Sequence, residues 1–278
     1  MEHTSAFGEL ITTTMSVLDW NLWWRFGPWE ARQPAIDATL VALNADVICI
    51  QETWPDQVSR LADLLGMQHI YGSRQAFDGV QFGNAILSKW PIARTETLPL
   101  PVDEAGKFEE GRTILFAEIE GPRGTFQVFN THLNWRLDQS AIRQIQVKAI
   151  FDAVDQRRPR TFPAIVTGDF NAGPDTDEIR MMTGKTEVPI EGMIFHDAWE
   201  STDGSSASGK TVNGNTWANE NAYALLDLEP SRRIDYVFVG WPKGGGAGHA
   251  VTCRRVCTEL VDGVVPSDHY GVLAELRY

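Results

Sequence analysis

The sequence predicts a layered α/β domain in which β-hairpins are mixed with helical crossovers. Short runs of β-branched and apolar residues, which are typical of strands, recur along the whole chain. Two segments between them carry apolar residues at helical spacing. Gly121-Pro-Arg-Gly124 separates two strand-like runs and indicates a hairpin turn, so a purely parallel sheet is not expected.

The predicted elements follow one another in a mixed order. Strands are predicted over 16–20, 46–51, 84–88, 113–120, 125–132, 162–167, 234–239, 251–257 and 270–276, and helices over 31–43 and 139–154. Ile36, Leu40 and Leu43 share one face of the first helix, as expected for a helix that covers a sheet. Asp138 is the expected N-cap of the second helix.

The chain is expected to form one domain over residues 15–278 behind a flexible leader over 1–14. Two loose segments, 201–214 and 244–246, are predicted to be surface loops, because strand-like segments follow each of them. The leader lacks the basic start and apolar core of a signal peptide, and no apolar run reaches membrane-spanning length. A cytoplasmic monomer is expected. The 3 cysteines, too few for a disulfide framework, fit a reducing compartment.

The acidic balance of the chain bears on its partners. The formal net charge is −13, whereas proteins that hold duplex nucleic acid usually present a basic face. Arg157-Arg158 or Arg232-Arg233 could still form a local basic patch. Nucleic acid is therefore a possible but disfavoured partner, and the excess of carboxylates suits a hard cation.

The most informative motif is Ala164-Ile-Val-Thr-Gly-Asp169-Phe-Asn171. It predicts a buried strand that ends by presenting a carboxylate and a carboxamide on one side, with Phe170 turned into the packing. Such a pair suits the holding of a water next to a phosphoryl oxygen. Taken alone, the same residues could instead form a turn or a helix cap.

Further polar residues stand at the ends of other predicted strands. Asn21, Glu52 and His132 each end one, Asp235 starts one, and Asp268-His269 precedes the last. Each motif alone is weak. A histidine after a strand is often structural, and Glu52 could merely cap the helix after Pro55.

Taken together and in this order, the motifs resemble the endonuclease/exonuclease/phosphatase superfamily, which has the deoxyribonuclease I-like fold. The resemblance runs from about residue 14 to residue 278, with further matches at Gly83-Asn84 and Gly111-Arg112. It implies a four-layer sandwich of two mixed β-sheets packed face to face, with helices on both outer faces. It also implies hydrolysis of phosphoesters with Mg²⁺ or Mn²⁺ at one edge of the sandwich.

The resemblance assigns metal ligands. A phosphoester repels hydroxide, so a hard cation must neutralise charge on the phosphoryl oxygens and the leaving group. Glu52 is the implied principal ligand with Asn21 beside it, and Asp268 is implied to support a second or alternative position. Mg²⁺ prefers one or two carboxylates plus waters, which this set can supply.

The resemblance also assigns catalytic roles. Asp169 is implied to orient or deprotonate the attacking water, Asn171 to hold a phosphate oxygen, and His132 to donate to the developing oxyanion. His269 is implied to be the acid/base or clamping histidine, with Asp235 as its orienting carboxylate. The sequence does not decide whether Asp169 or His269 is the general base.

Loops rather than strands are expected to choose the substrate. Arg112 is a candidate phosphate clamp, or a surface ion pair, and the loops that carry Asn134 and Trp217 are expected to border the site. The aromatic segment 22–29 could be a substrate platform or core packing.

We expect a phosphodiesterase or phosphatase that acts on a small or headgroup-sized substrate. The alternatives are an endo- or exonuclease that acts on DNA or RNA, and a catalytically inactive module that binds phosphorylated ligands.

Overall fold

The protein, for which we use a computed structural model, is described over residues 5–102, 110–158, 161–202 and 213–278. Its strands are β1 (Thr14–Asn21), β2 (Val47–Thr53), β3 (Gln68–Phe77), β4 (Val80–Ser88), β5 (Ile92–Pro99), β6 (Thr113–Gly121), β7 (Gly124–His132), β8 (Ile165–Asp169), β9 (Phe195–Asp197), β10 (Asp235–Gly240), β11 (Ala250–Val256) and β12 (Gly271–Arg277). Its α-helices are α1 (Trp29–Leu43), α2 (Pro55–Leu65), α3 (Ser140–Asp155), α4 (Asp177–Met182) and α5 (Ala198–Ser201), and Ala224–Asp227 and Gly244–Gly246 form 3₁₀ turns.

Within the described residues the strands form two six-stranded sheets. The first has the order β11-β12-β1-β2-β4-β3 and the second the order β5-β6-β7-β8-β10-β9. The pairs β1–β2 and β7–β8 are parallel and the other pairs are antiparallel, so both sheets are mixed. The expected hairpin between residues 121 and 124 joins β6 to β7.

Side-chain alternation along the strands sorts apolar residues into three layers. Val17 of β1 and Ile165 of β8 point between the sheets and build the central core. The other face of the first sheet packs against α1 and α2, for example through Leu40. The other face of the second sheet packs against α3 and α4. The predicted four-layer sandwich with helices on both outer faces is therefore confirmed.

Three strands were not predicted, because they lack a strong apolar signal. Strands β3 and β5 lie at sheet edges and are largely exposed, and β9 has only 3 residues. The expected N-cap was wrong by one residue. Gln139, not Asp138, occupies that position of α3, and its carboxamide oxygen accepts a hydrogen bond from the amide of Arg136.

The two segments that were predicted to be surface loops, 201–214 and 244–246, differ in what the structure describes of them. The predicted loop 201–214 lies mostly outside the described residues. Gly245 of the second segment donates to the carbonyl of Phe7 and accepts from the amide of Ile11, which ties the chain start to this turn. None of the helices in the described part of the chain is long and apolar enough to cross a membrane.

Candidate active site

The layer between the sheets changes from apolar to polar at one edge. The period of two that turns Val17 and Ile165 inward also turns the residues two and four positions further along each strand inward. The polar residues that share inward positions at this edge are Asp19, Asn21, Gln51, Asn130, His132, Asp169 and Asp235. Strand pairing brings them together, since Asp169 pairs with Asp235 on one side and with His132 on the other.

A cleft of about 540 Å³ opens above this polar edge. Most of the predicted site residues line it, namely Glu52, Arg112, His132, Asp169, Asn171, Trp217, Asp268 and His269. Asn21 and Asp235 are fully buried and lie beneath them. This volume is in the range of small-ligand sites.

Asp169 combines both roles that its motif allows. Its Oδ1 accepts from the amide of Asn171 at 2.8 Å, which makes a local turn, while its Oδ2 accepts from Nδ2 of Asn21 at 3.1 Å across the two sheets. Phe170 is buried in the outer core, as expected. Gly168 is required before Asp169, because a Cβ there would lie 2.2 Å from the carbonyl oxygen of Thr131. The turn therefore fixes the carboxylate that faces the cleft.

Glu52 has the features of a cation ligand. It lies at a bulge between β2 and β4 with φ 52°, a left-handed conformation that is uncommon for this residue type. Its Oε1 accepts from Asn21 at 3.1 Å, while its Oε2 is buried and has no hydrogen-bond partner among the described residues. A buried carboxylate oxygen without a donor is costly unless a cation satisfies it, so these residues fit a divalent metal.

His269 and Asp235 form a buried ion pair. Nδ1 of His269 lies 2.9 Å from Oδ2 of Asp235, which leaves Nε2 towards the cleft, 3.7 Å from Asp169. Burial alone would lower the pKa of His269, but Asp235, Asp268 and Asp169 together raise it well above its usual value. His269 is therefore protonated near neutral pH.

A second grouping of possible metal ligands overlaps this pair. One atom each from Asp169, Asp235 and His269 lies within 4.8 Å of the others. A protonated His269 already contacts both carboxylates, and metal binding would require its proton to leave. The Glu52 side of the cleft is therefore the better position for a cation.

His132 lies on the opposite side of Asp169. Its Nε2 is 3.4 Å from Asp169 and 3.9 Å from Glu52. Burial, Arg112 and His269 lower the pKa of His132 well below its usual value, so the ring is neutral. A neutral imidazole keeps one N–H donor without adding charge to the site.

Two cleft carboxyl groups titrate near neutrality. Burial and the neighbouring Asp235 raise the pKa of Asp169 to about 7, although His269 opposes the shift. Burial raises the pKa of Asp268 to about 7 as well. Both groups therefore change charge in the range in which hydrolytic enzymes usually work.

These raised values predict a pH dependence of stability in metal-free protein. The folded-state pKa of Asp268 lies above its unfolded value, so the contribution is full at low pH and is lost as pH rises towards 7. Between pH 5 and pH 8 in EDTA, we expect Tm to fall by roughly 4 °C more in the wild type than in Asp268→Asn, which corresponds to about 1–2 kcal/mol. Differential scanning fluorimetry measures both slopes, and equal slopes would contradict the prediction.

Arg112 lies at the cleft, as predicted, whereas Asn134 lies behind it. Arg112 lines the cleft, but Glu110 holds its Nε at 2.9 Å and its Nη2 at 2.8 Å, while its Nη1 is buried without a partner in the described chain. Asn134 is fully buried, and its carboxamide oxygen accepts from Gln146 of α3 at 2.7 Å. Asn134 is not among the described cleft residues. It supports the loop after His132 instead.

The aromatic segment after Asn21 divides between the two expected roles. Trp24 is buried with Trp54 and Phe82, whereas Trp23 and Phe26 line the cleft. Trp23 and Trp24 have φ values of 59° and 32°, which are unusual for bulky residues. The surroundings must hold this conformation in place.

Arg32 of α1 supplies that support. Its fully buried guanidinium donates to the carbonyl groups of Leu22, Trp23, Trp24, Phe26 and Pro266. Its Cζ also lies 4.7 Å from the ring centre of Trp23. Arg32 thus joins the aromatic segment to the chain that precedes Asp268.

Lysine cannot replace this planar set of donors. We expect Arg32→Lys to lower Tm by roughly 5–10 °C, since charge-assisted hydrogen bonds contribute about 1.5–3 kcal/mol. Arg60→Lys is the matched control, because Arg60 forms an exposed ion pair with Asp37, which contributes little. A thermal melt that moves equally in both variants would contradict this role.

Four residues next to the predicted site were not predicted from the sequence, namely Asp19, Arg32, Gln51 and Asn130. Gln51 donates to Asp19 and to Asn130, each at 2.7 Å, and forms a buried polar floor under the cleft. The sequence pattern could have predicted Asp19, because Asp19 shares the inward face of β1 with Asn21. Arg32 had no such signal, since a single arginine in a helix usually faces solvent.

The comparisons with known proteins agree with this geometry. Residues 20–269 match the sequence profile of the endonuclease/exonuclease/phosphatase family. The chain is 30% identical over 155 residues to the uncharacterized protein YbhP of Escherichia coli, a match that covers 50% of this chain and 58% of YbhP. The chain thus spans little more than half the length of this curated relative.

Solved structures with the same fold cover almost the whole chain. TDP2 of D. rerio, in complex with a single-strand DNA product, aligns with a TM-score of 0.77 at 19% identity over 96% of this chain and 100% of that one. The mannosyl-6-phosphatase Bt3783 of Bacteroides thetaiotaomicron aligns with a TM-score of 0.74 at 20% identity over 95% and 100% of the two chains. At these identities the likeness shows the fold.

Proposed function

The chain belongs to the endonuclease/exonuclease/phosphatase family, and we propose that it is a metal-dependent hydrolase of a small or headgroup-sized phosphoester. One observation carries the proposal: Glu52, His132, Asp169 and His269 line one cleft, and a carboxylate oxygen of Glu52 is buried without a donor in the described chain. In an ion-pair network with a purely structural role, every buried carboxylate oxygen would have a donor. Here Oε2 of Glu52 has no donor in the described chain, so a cation can bind it.

Glu52 and Asn21 hold the cation, and Asp268 supports it. When bound, the cation neutralises charge on the phosphoryl oxygens and on the leaving group. Mg²⁺ and Mn²⁺ both suit this oxygen-rich set. We favour Mg²⁺, because the proposed site offers no nitrogen ligand.

Asp169 is the general base of the proposed reaction. It can accept a proton from water near neutral pH, since burial raises its pKa to about 7, and Oδ2 is the oxygen that faces the two histidines. His269 cannot take this role while it is protonated. It binds the phosphoryl oxygens as a fixed positive charge, and Asp235 orients its ring.

Neutral His132 donates its N–H to the oxyanion that develops on the phosphoryl group, and Asn171 holds a second oxygen. Asn171 donates to the carbonyl of Leu133 through Nδ2 at 3.2 Å, which fixes its carboxamide at the cleft. These donors are in place before substrate arrives, so they need little reorganisation during the reaction.

The pairing of arginines in the described chain favours a substrate with one phosphoryl group over a long nucleic acid. All four arginines that could have formed basic patches are paired with carboxylates: Arg157 with Glu96, Arg158 with Asp155, Arg232 with Glu229 and Arg233 with Asp197. Long nucleic acid needs free cationic side chains along its backbone. TDP2 in complex with a DNA product and the mannosyl-6-phosphatase Bt3783 support phosphoester chemistry in this fold, and the charge favours the smaller substrate class.

A substrate panel tests the proposed function. We expect Mg²⁺- or Mn²⁺-dependent turnover of bis-p-nitrophenyl phosphate or p-nitrophenyl phosphate that exceeds the nicking of plasmid DNA. Efficient plasmid nicking would favour the nuclease alternative. Absence of any metal-dependent turnover would favour a module that only binds phosphorylated ligands.

Metal affinity tests the position of the cation. We expect Glu52→Gln to weaken Mn²⁺ binding by at least about tenfold, because it removes the carboxylate charge and retains the shape of the side chain. Glu110→Gln is the control, since Glu110 lines the same cleft but pairs with Arg112. Isothermal titration measures both. Unchanged affinity in Glu52→Gln would place the cation elsewhere.

We propose one domain over 15–278 after a leader over 1–14, a monomeric state and a cytoplasmic location. The three cysteines are buried and free, which agrees with a reducing compartment. Size-exclusion chromatography with light scattering tests the monomer.

A further inference from the structure

Large exposed apolar side chains lie in the cleft and on the turn that precedes the cleft residue Glu229. We call six of them the apolar rim: Phe26, Phe77, Trp135, Leu225, Leu226 and Leu228, each more than one-third exposed. Phe26, Phe77 and Trp135 line the cleft itself. The three leucines lie between Tyr223, whose ring centre is 4.7 Å from that of Trp23, and Glu229, which lines the cleft. Exposed apolar groups of this size, gathered at one opening, indicate a docking surface.

Residues 225–228, which we call the leucine turn, are anchored although the leucine side chains are exposed. Asn221 donates through Nδ2 to the carbonyl of Ser267 at 2.8 Å, and its own carbonyl accepts from the amide of Leu225 at 3.0 Å. Leu226 and Leu228 nevertheless remain 75% and 89% exposed. The turn is thus held beside Asp268 while its leucines point away from the core.

Leu228 adds a sign of local constraint. Its φ of 58° is a left-handed conformation that leucine rarely adopts and that Asn or Asp would accept more easily. Neither the packing nor the backbone conformation therefore calls for leucine at this position. The exposed side chain of Leu228 is therefore available for an apolar contact outside the chain.

We propose that the apolar rim docks the cleft onto a lipid bilayer, so that the substrate is an amphiphile whose phosphoester headgroup enters the cleft. This inference rests on the proposed hydrolysis of a phosphoester at the same site. A protein seated on the rim would close the cleft, whereas a bilayer presents headgroups to it. Tryptophan and leucine side chains that enter the headgroup region provide this kind of attachment.

The negative net charge of the chain favours a bilayer of zwitterionic lipid over one of anionic lipid. With a net charge of −13, the chain is repelled by anionic lipid. Asp227 lines the cleft beside the leucine turn and adds to that repulsion locally. Docking therefore depends on apolar contact and is strongest on zwitterionic phosphatidylcholine.

Vesicle co-sedimentation tests the proposal. We expect the wild-type chain to sediment with phosphatidylcholine vesicles, and the double variant Leu226→Asp/Leu228→Asp to bind them at least tenfold more weakly. Aspartate is acceptable at the left-handed position 228, so this variant should fold. The matched control is Val41→Asp/Leu64→Asp, which alters exposed residues of α1 and α2 to the same extent and should bind as the wild type does.

Hydrolysis of soluble bis-p-nitrophenyl phosphate separates this inference from the proposed function. Both double variants should retain it, because none of the four positions lines the described cleft. Failure of the wild type to bind phosphatidylcholine vesicles, or equal binding by both double variants, would overturn the docking proposal even if soluble turnover persists. If the wild type does not hydrolyse soluble bis-p-nitrophenyl phosphate at all, that result would instead overturn the proposed function.

Discussion

Asp169→Asn is expected to lower kcat by about 10³-fold or more, within or above the range that general-base catalysis usually contributes. Asparagine keeps the shape and can still accept from the amide of Asn171 through Oδ1, so the local turn should persist. Its amide group, however, would face Nδ2 of Asn21 and Nε2 of His132 in place of an acceptor. The variant therefore loses the oxygen that receives the proton of the attacking water.

Stability distinguishes this loss from misfolding. Burial raises the pKa of Asp169, which means that its charged form costs free energy in the folded protein. Asp169→Asn should therefore melt close to metal-free wild type at pH 8, because relief of the buried charge offsets the hydrogen bond lost from Asn21. Asp177→Asn, an exposed carboxylate paired with Arg180, is the control and should keep full activity. If Asp169→Asn retains more than about one-tenth of kcat, another group is the base.

The sequence predicted the site wherever a strand keeps its period of two. The inward side of β8 delivers Asp169 and the outward side delivers Phe170, as alternation requires. The same rule would have predicted Asp19, because Asp19 and Asn21 share a face of β1. Its role in the polar floor of the cleft depends on Gln51 of the neighbouring strand, which donates a hydrogen bond to it.

Departures from that period could not be predicted. Gln51 points inward, so regular alternation would turn Glu52 away from the cleft. The bulge between β2 and β4 and the left-handed conformation of Glu52 return its carboxylate to the site. A bulge depends on how two strands pair, and the residues next to Glu52 in the sequence do not reveal how β2 pairs with β4.

Long-range contacts explain the other differences. Asn134 follows His132 closely in sequence, yet Gln146 of α3 binds it and removes it from the cleft. Arg32 lies in a helix, yet its five acceptors include Pro266, which is 234 positions away. Such partners are brought together only by the packing of the complete sandwich.

The pair of Asp235 and His269 should control the pH profile. Burial lowers the pKa of His269, but the charge and the hydrogen bond of Asp235 both raise it, and the charge of Asp235 also raises the pKa of Asp169. Activity needs Asp169 deprotonated and His269 protonated, so the pKa of Asp169 sets the acid limb and that of His269 the alkaline limb. In Asp235→Asn both limbs should therefore move to lower pH.

The two limbs should not move equally. His269 loses a charge partner and a hydrogen bond to a carboxylate, whereas Asp169 loses only a neighbouring charge. We expect the alkaline limb to shift by about one pH unit or more and the acid limb by less, so the active range becomes narrower. The maximal kcat should fall by about 10²-fold, because His269 is less often charged and less well oriented.

A profile of kcat on bis-p-nitrophenyl phosphate from pH 5 to pH 10 measures these shifts. Asp227→Asn removes the same charge from the cleft wall, and Asp227 is not among the main causes of the raised pKa of His269 or Asp169. Its limbs should stay at the wild-type positions. An acid limb that moves to lower pH by more than the alkaline limb in Asp235→Asn would mean that His269 acts as the base, since the pKa of a base sets the acid limb and His269 loses more support than Asp169 does. That result would exchange the roles of Asp169 and His269 while leaving the cation at Glu52.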